Sequence, residues 1–571
     1  MTPHTPVSTS QRIMRTLTTA IIAMAALSAS AQVTVSGSVQ SDMMIAPQQD
    51  DRIGTSEYDN KYFLTNTYVD AMLQSQHVDA GARFELNQWP MPGFATAPNQ
   101  DFKGWGLPNL WVKGRRKHLE MTIGTFYDQF GSGFIFRTYE ERTLGVDNSL
   151  LGGRAVITPG AGLQIKVLSG AQRNYWKINK SLVSGIDAEW ALEEVIKPWK
   201  NRGTHLTLGL SGVNKWENDR GEMLFDNGAY RLNCPEFVNA IDARIRFQKA
   251  GFNVLGEYAH KSADPNSLNG GIYRPGQAVM ISAAYSKKGL SALLQAKRSD
   301  NMAFRSKRVD PHSTTSYINH QPAFTLDHTY ALAALYPYAT MAEGENNGEW
   351  AYQASLGYNF KRKTRMGGKY GTKLKLNYSL VQSTDRTNIV GTPAERTDGY
   401  TSRFFAWGDE LYYQDLNLQL EKKLTKQWDI HAMYMYQTFN RLIQKHEGTI
   451  RSHVFIFEPK WKINRRLSLR GEAQYLLTDH ESGDWGFGLL ELSVAPYLMF
   501  TVSDQIGRPE KKDGSYGDVT HYYSISATGN YKSHRLQIGY GRTRAGVNCT
   551  GGVCRYIPAS KGLTINYNYN F

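Results

Sequence analysis

The last nine residues of the chain alternate strictly between apolar and polar side chains. Leu563, Ile565, Tyr567, Tyr569 and Phe571 occupy one face of an extended strand, and the residues between them are Thr or Asn. A period of two is typical of a β-strand with one apolar and one polar face. The pattern recurs along the chain, so the fold has to place many one-sided strands against an apolar surrounding.

Elsewhere the alternation appears in pairs of segments joined by short turns. Residues 80–86 and 241–247 each alternate apolar with charged or polar side chains. Further strand pairs are predicted at residues 277–286 with 290–298, 349–360 with 371–382, 410–422 with 427–438, 450–462 with 466–477 and 519–531 with 534–544. Counting every such strand gives about 24. The patterns near residues 107–113 and 153–158 are weak, so about 22 strands is the alternative.

The composition indicates what that apolar surrounding is. Mean hydropathy is −0.47, and outside the N-terminus no apolar run approaches the roughly 20 residues of a spanning helix, which excludes a bundle of membrane helices. In a closed barrel only alternate residues face lipid, and closure pairs every backbone group. With 33 Tyr and 52 Gly, the chain is predicted to be all-β. We expect a transmembrane antiparallel up-and-down β-barrel with short periplasmic turns and long outer loops, some folded into the lumen.

The N-terminus has the features of an export signal. Arg12 and Arg15 precede the apolar stretch 17–27, and Ala29-Ser30-Ala31 supplies a cleavage site of small residues. We expect a cleaved signal peptide over residues 1–31 and a single barrel domain over residues 32–571, in the outer membrane of a Gram-negative bacterium. The final strand resembles the C-terminal assembly signal of such barrels, with Tyr567, Tyr569 and Phe571 as its residues. The expected partners are outer-membrane lipid, lipopolysaccharide and, during biogenesis, the barrel-assembly machinery.

Positive charge gathers at the predicted short turns. The formal net charge is +14, or +12 (14 − 2) without Arg12 and Arg15. The basic turn residues are Lys113, Arg115, Arg116, Lys117, Lys287, Lys288, Lys361, Arg362, Lys363, Arg365, Lys422, Lys423, Lys426, Arg465, Arg466, Lys532 and Arg535. Lys and Arg at such turns gain Coulomb attraction to anionic headgroups of the inner leaflet, and acidic residues are nearly absent there. Nucleic acid is not an expected partner, because the charge is divided among turns of an exported protein.

Motifs for catalysis or for cofactors are missing from the sequence. No zinc-protease pair, nucleophile elbow, phosphate-binding loop or calcium loop has the required spacing, so we expect neither an enzyme nor a bound cofactor or metal. The three cysteines include a close pair, Cys549 and Cys554, in a Gly-rich stretch. In an oxidising compartment this pair indicates a small disulfide that pins a loop, whereas a metal site would need two further ligands.

Charged residues on the polar faces of strands are candidates for the lumen wall. The predicted lumen-lining residues are Arg83, Glu85, Asp242, Arg244 and Arg246. Facing groups of opposite charge can orient a polar solute, and an excess of Arg favours anions.

Two long segments are candidates for function. Residues 127–154, YDQFGSGFIFRTYEERTLGVDNSLLGGR, mix charges with aromatic residues and cannot face lipid. Folded inward they would form a constriction of Arg137, Glu140, Glu141, Arg142, Asp147 and Arg154; the alternative is an external loop with surface ion pairs. Residues 328–340, HTYALAALYPYAT, are too apolar for a solvated loop. They are expected to pack on the wall, a partner or a ligand, with His328, Tyr330, Tyr336 and Tyr338 as candidate binding residues.

These segments also carry a family resemblance. The stretches QFGSGFIFRTYEER, LGVDNSLLGGR, HTYALAALYPYAT and GGVCRYIPASKG resemble an uncharacterised family of Bacteroidales outer-membrane proteins, known only as a domain of unknown function. The resemblance covers most of the mature chain and implies an outer-membrane barrel; it implies no activity or catalytic residue. The function we expect is a porin-like channel or transporter for small polar or anionic solutes. The alternative is a non-conducting barrel that binds at the surface or serves secretion or assembly.

Overall fold

A computed structural model shows one closed antiparallel β-barrel of 24 strands. It describes residues 33–571 except 56–61, 95–99, 220, 222, 226–227, 229, 310–315, 339–347, 392–394, 442–447, 480–482, 509–516 and 551–552. The predicted signal peptide, residues 1–31, lies outside the described residues. Each strand pairs with the next along the chain, and the last pairs with the first in a register from Ser38↔Asn570 to Ile45↔Leu563. The barrel class and the count of 24 strands are therefore confirmed.

The barrel strands, β1 to β24, are Thr34–Ile45, Phe63–Gln74, Val78–Leu86, Trp105–Arg116, Leu119–Phe126, Leu150–Gly160, Leu163–Asn174, Leu182–Ala191, Thr204–Trp216, Phe237–Lys249, Phe252–Lys261, Gly276–Lys287, Leu290–Asp300, Glu349–Phe360, Thr372–Thr384, Trp407–Lys423, Trp428–Asn440, Thr449–Lys462, Leu467–Thr478, Trp485–Val494, Leu498–Gly507, Thr520–Tyr531, His534–Thr543 and Ser560–Asn570. Both strands with weak patterns are present, as β4 and β6.

The loops between these strands contain short secondary-structure elements. They are two-residue or five-residue strands at Glu140–Glu141, Val146–Asp147, Lys177–Ile178, Leu224–Phe225, Tyr230–Arg231, Thr387–Asn388, Tyr400–Thr401, Gly546–Thr550 and Val553–Ile557, 3-10 helices at Gln100–Phe102 and Leu192–Glu194, and one α-helix at Lys197–Asn201. None of the helices in the described part of the chain is both long and apolar enough to cross a membrane.

The alternation of side chains sets the two surfaces of the barrel. In β10, Ile241 and Ile245 are 56% and 49% exposed, whereas Asp242 and Arg244 between them are buried. Aromatic residues collect near both strand ends: Trp428 and Trp461 stack 5.5 Å apart beside a short turn, and Tyr352 and Trp407 lie 5.7 Å apart at the opposite end. An outward apolar band between two aromatic girdles is typical of a transmembrane barrel.

Short turns and long loops lie at opposite ends of the barrel. The turns 75–77, 117–118, 250–251, 288–289 and 532–533 join strands at one end, and that end also holds Thr34 and Asn570, the outer limits of β1 and β24. The segments 127–149 and 301–348 join strands at the other end. In membrane barrels the short turns are periplasmic and the long loops face outward. Most of the basic turn residues are exposed, and their contact with anionic headgroups stays a prediction.

Candidate functional site in the lumen

The loop between β5 and β6 enters the barrel. Phe130, Phe134, Ile135 and Phe136 have no accessible surface and pack in one cluster with inward residues of the wall, among them Val213. Apolar side chains of this size belong on a wet outer loop only if something covers them, and here the interior of the barrel does. Residues 127–154 were predicted either to fold inward or to form an external loop, and the structure shows the inward fold.

Glycines let this segment approach the wall closely. Gly131 has φ +52°, and a Cβ atom there would lie 2.5 Å from Oε1 of Glu257. The same carboxylate accepts hydrogen bonds from the backbone N (2.9 Å) and Oγ (2.8 Å) of Ser132. Glu257 therefore fixes the tip of the loop to β11, and any larger residue at position 131 would push them apart.

The next part of the loop is attached by ion pairs. Arg83 of β3 donates from Nε to Asp70 and from Nη1 to Glu140, both at 2.7 Å. Arg142 donates to Glu140 and Asp70, each at 2.8 Å. The two arginines thus connect residues 140–142 to β2 and β3, with the Arg83 side chain only 9% exposed.

Further hydrogen bonds to Glu85 and Asp147 extend this cluster. Arg173 of β7 forms two hydrogen bonds with Glu85, at 3.0 and 2.8 Å, and a third with Asp147 at 2.5 Å. Tyr127 donates to Asp147 at 3.0 Å. The cavity left between loop and wall holds only about 20 Å³, which is room for about one water molecule. The loop therefore packs closely against the wall at this cluster.

The charges shift the pKa values of the loop carboxylates in opposite directions. Burial raises the pKa of Glu140 by more than Arg83 and Arg142 lower it. Burial acts the same way on Asp147, but Arg173 and Arg83 outweigh it and lower its pKa overall. Asp147 is thus held as the charged partner, whereas Glu140 is the carboxylate in this cluster that protonates more readily.

Arg244 is the centre of a second buried cluster on the wall. It donates to Asp242 (2.9 Å), to Glu189 (2.9 Å), to Ser211 Oγ (2.6 Å) and to Asp187. Arg246 lies on the same face of β10 but is exposed.

Four of the five predicted lumen residues therefore point inward and are buried. The fifth, Arg246, also lies on the inward face of its strand. Arg83 and Arg244 each contact two or more carboxylates, so their positive charge is balanced by neighbouring side chains in this closed arrangement.

The remaining predicted constriction residues occupy distinct places. Arg154 lies on β6 itself and pairs with Asp128 and with Glu120 (2.9 Å). Arg137 lies 4.3 Å from the ring centroid of Tyr139. Glu141 accepts hydrogen bonds from Thr143, two residues away in the same loop. Only part of the predicted set therefore joins the wall to the loop.

The loop between β13 and β14 is the second inward segment. Phe304, Ile318 and Phe324 are buried in the same apolar cluster as the first loop. Asn319 donates to the carbonyl oxygen of Phe134 at 3.0 Å, and the Arg137 backbone N donates to that of Ile318 at 2.8 Å. The two loops bind each other as well as the wall and form one continuous obstruction.

Residues 328–338 lie along the inner surface of β14 and of β16 to β20. His328 contacts Asp415, the Leu332 backbone N donates to Gln474 (2.9 Å), and Tyr338 donates to Glu349 (2.5 Å). Tyr336 stacks on Phe439 with centroids 6.3 Å apart. Packing on the barrel wall is the alternative that the structure has; residues 339–340 lie outside the described residues.

Tyr330 lies where residues 328–338 border a large chamber. Its hydroxyl lies 2.7 Å from Nδ1 of His431 and donates to Oε2 of Glu458 at 3.1 Å. Burial and Glu458 raise the pKa of Tyr330, so it remains a neutral donor. The chamber beneath has a volume of about 1390 Å³ and extends to turn residues 361–362 and 370–371 at the short-turn end. No sequence motif indicates it, because its walls come from five strands and one loop.

The three cysteines comprise one close pair and one separate residue. Cys549 and Cys554 are register partners in the hairpin of Gly546–Thr550 with Val553–Ile557. Cys554 is disulfide-bonded, and Cys234 is free and buried. Among the described residues, no group of three or more His, Cys, Asp or Glu side chains is arranged to hold a metal ion.

A family model matches residues 10–571, nearly the whole chain, and its description is a family of unknown function, DUF6029. The chain belongs to the DUF6029 family. This agrees with the resemblance drawn from its loop motifs, and it adds no activity. No curated protein matches the chain significantly.

Solved structures of large outer-membrane barrels are similar to this DUF6029 chain at low identity. The P pilus usher (PapC) translocation pore has a TM-score of 0.41 at 7% identity, covering 95% of this chain and 99% of that one. OccAB3 of Acinetobacter baumannii has 0.35 at 9%, covering 95% and 99%. A mutant of the ferric enterobactin receptor PfeA from Pseudomonas aeruginosa has 0.44 at 8%, covering 94% and 80%. These similarities assign no solute or partner to this chain.

Proposed function

We propose that this protein is a gated outer-membrane channel or transporter for small polar or anionic solutes. The observation that carries the proposal is the pair of inward loops, which close a barrel of 24 strands that would otherwise enclose a wide lumen.

The way in which the first loop is attached supports a gate. Residues 130–136 are held by apolar packing, whereas Glu140 and Asp147 are held by ion pairs with Arg83 and Arg173. Ion pairs depend on the protonation of their partners, and a charged solute competes with them. The ionic part of the loop is therefore the part that a solute can displace without exposing the apolar cluster.

Conductance of the refolded protein in a planar bilayer tests this function. The wild type should show a small conductance with brief openings. Replacing residues 137–147 by a short Gly-Ser linker should give steady conductance, because it removes the ionic contacts to β2, β3 and β7. The matched control is Glu141→Gln, which changes a carboxylate of the same loop whose hydrogen bonds, among the described residues, go to Thr143 and which should leave the wild-type trace unchanged. A salt gradient across the bilayer then reads the ion selectivity.

The filled lumen also favours a second candidate function, a non-conducting barrel for surface binding or assembly. For a non-conducting barrel, neither the wild type nor the linker variant should conduct, although both proteins are shown to be folded and inserted. That outcome would end the channel proposal.

We also propose cleavage of residues 1–31 as a signal peptide, a Bacteroidales source, and contact with lipopolysaccharide and the barrel-assembly machinery. We expect no enzymatic activity. Mass spectrometry of protein from the outer-membrane fraction tests the cleavage, since the mature N-terminus should be Gln32.

A further inference from the structure

The chamber at the short-turn end has an unbalanced charge. Seven of the residues that line it are Lys or Arg and three are Asp or Glu, an excess of four positive charges (7 − 3). Its volume of about 1390 Å³ exceeds that of most small-molecule sites, which run to about 1,000 Å³. A chamber this large and this basic is suited to an anion larger than a simple ion.

Some of the positive charge in the chamber is neutralised by neighbours. Glu421 pairs with Lys373 at 2.9 Å and with Lys375 at 3.3 Å, and Lys462 pairs with Asp429 at 2.6 Å. These contacts account for two of the three lining carboxylates. The third, Glu458, accepts from Tyr330 and from Arg470.

Lys423 and Lys460 are the inward lysines without such neighbours. Within the described part of the chain, neither has a carboxylate oxygen within 4.0 Å. Lys460 lies two residues from Glu458 on the same face of β18, and Lys423 lies on the same face of β16 as the buried Asp415 and Asn417. Both ammonium groups therefore belong to the lumen and are available to a ligand.

We propose that this chamber is a binding site for a phosphate-bearing anion, with Lys423 and Lys460 as its main contacts. A phosphate monoester carries about −1.5 to −2 charge at neutral pH, so two such groups roughly balance the excess, which a single carboxylate does not. Arg362 at the rim offers paired donors suited to phosphate oxygens. The anion enters from the short-turn, periplasmic end.

The site is also connected to the obstruction. Tyr330 forms its roof and hydrogen-bonds Glu458, which shares β18 with Lys460. An anion on Lys460 therefore lies beside the contact that holds residues 328–338 on the wall. The anion site deepens the proposed function. It rests on that function in one respect, because the bound anion is taken to be the transported solute.

Calorimetric titration of the full-length protein in neutral detergent, with pyrophosphate as the probe, tests the site. Binding should be saturable and should weaken about tenfold for each of Lys423→Gln and Lys460→Gln. The matched control is Lys532→Gln, a basic residue at a turn outside the chamber, which should bind as the wild type does. Heat-dependent gel migration shows that each variant is folded. Absence of saturable binding, or equal binding by all variants, would overturn the proposal.

A lipid headgroup is the other source of the same phosphate chemistry. Nanodiscs of phosphatidylcholine alone and with phosphatidylglycerol distinguish the two sources. If the chamber takes a soluble anion, pyrophosphate binds equally in both. If pyrophosphate fails to bind and protection of Lys422 and Lys361 from acylation depends on phosphatidylglycerol, the occupant is lipid and the proposal is wrong. Binding without any conductance would refute the channel and leave the anion site standing. Conductance without binding would refute the anion site and leave the channel standing.

Discussion

Replacing Arg83 by Met should release the 137–147 segment from the barrel wall. Arg83 belongs to a buried cluster of three arginines and four carboxylates: Arg83, Arg142, Arg173, Asp70, Glu85, Glu140 and Asp147. The cluster has a net charge of −1 (3 − 4), and the substitution makes it −2 (2 − 4). Methionine fills a similar volume, so the main effect is the loss of the cation.

The size of the effect follows from burial. Removing one partner of a buried ion pair costs about 3–5 kcal/mol. Asp70 keeps 29% of its side chain exposed, so part of its charge is solvated, and we expect the lower end, about 3 kcal/mol. The opening equilibrium of the segment should then rise about a hundredfold.

Hydrogen exchange read by mass spectrometry measures that opening. Peptides covering 137–147 should exchange about a hundredfold faster in Arg83→Met, while peptides from β16 to β18 stay unchanged. Adding Glu140→Gln should recover part of the protection, because it removes a carboxylate that lost its partner. Lys177→Gln is the control, since the Lys177–Asp101 pair is largely exposed and such pairs contribute little. Unchanged exchange in Arg83→Met would refute the ionic attachment of the loop.

Three further predictions concern other parts of the obstruction and the turns. Tyr330→Phe removes the hydroxyl between His431 and Glu458 and should weaken the attachment of residues 328–338 by about 1–2 kcal/mol, measured as faster hydrogen exchange there. Burial, with Arg137 and Lys297 nearby, lowers the pKa of His320 to about 3; since the unfolded value is about 6.5, stability should fall as the pH drops from about 6.5 toward 3, and His320→Asn should flatten that slope in urea titrations. Reversing the charges of Arg465, Arg466, Lys532 and Arg535 to Glu should slow insertion into anionic liposomes, and an unchanged rate would exclude headgroup contact as the reason for those charges.

The strands were predictable because their signal is local. A period of two is visible within a window of about nine residues, and it placed β12 to β19 and β22 to β24 within a few residues. The two weak patterns have physical causes. In β6 Gly153 has no side chain, and Val156 lies on the same face as the inward Arg154, so apolar and polar residues do not alternate over 153–158. In β4 the register with β3 shifts between Arg83 and Glu85, which interrupts the alternation.

The lumen was predictable only in part because its contacts are not local. Alternation identified Arg83 and Glu85 as inward, but Glu140 lies 57 residues from Arg83, and Arg173 lies 88 residues from Glu85. No periodicity connects such positions. The inward fold of residues 127–154 left two alternatives for the same reason: its composition excluded lipid contact but did not distinguish the lumen from the outside. The chamber was not predicted: Lys423 and four other basic lining residues were assigned to headgroup contact at the turns, and Lys373 and Lys460 were given no role.

The two kinds of attachment imply an order of opening. Freeing Phe130, Phe134 and Phe136 would expose apolar surface to a wet lumen, at about 25 cal/mol per Å². Freeing Glu140, Arg142 and Asp147 exposes charged groups, which water solvates, so most of their lost ion-pair energy is recovered; only the small apolar cluster of Leu144 and Val146 would be exposed with them. A solute path should therefore open first between this ionic segment and the wall of β1 to β3, while the apolar cluster stays in place. A passage of this kind would be lined by Asp70, Arg83 and Glu85, the same groups that close it.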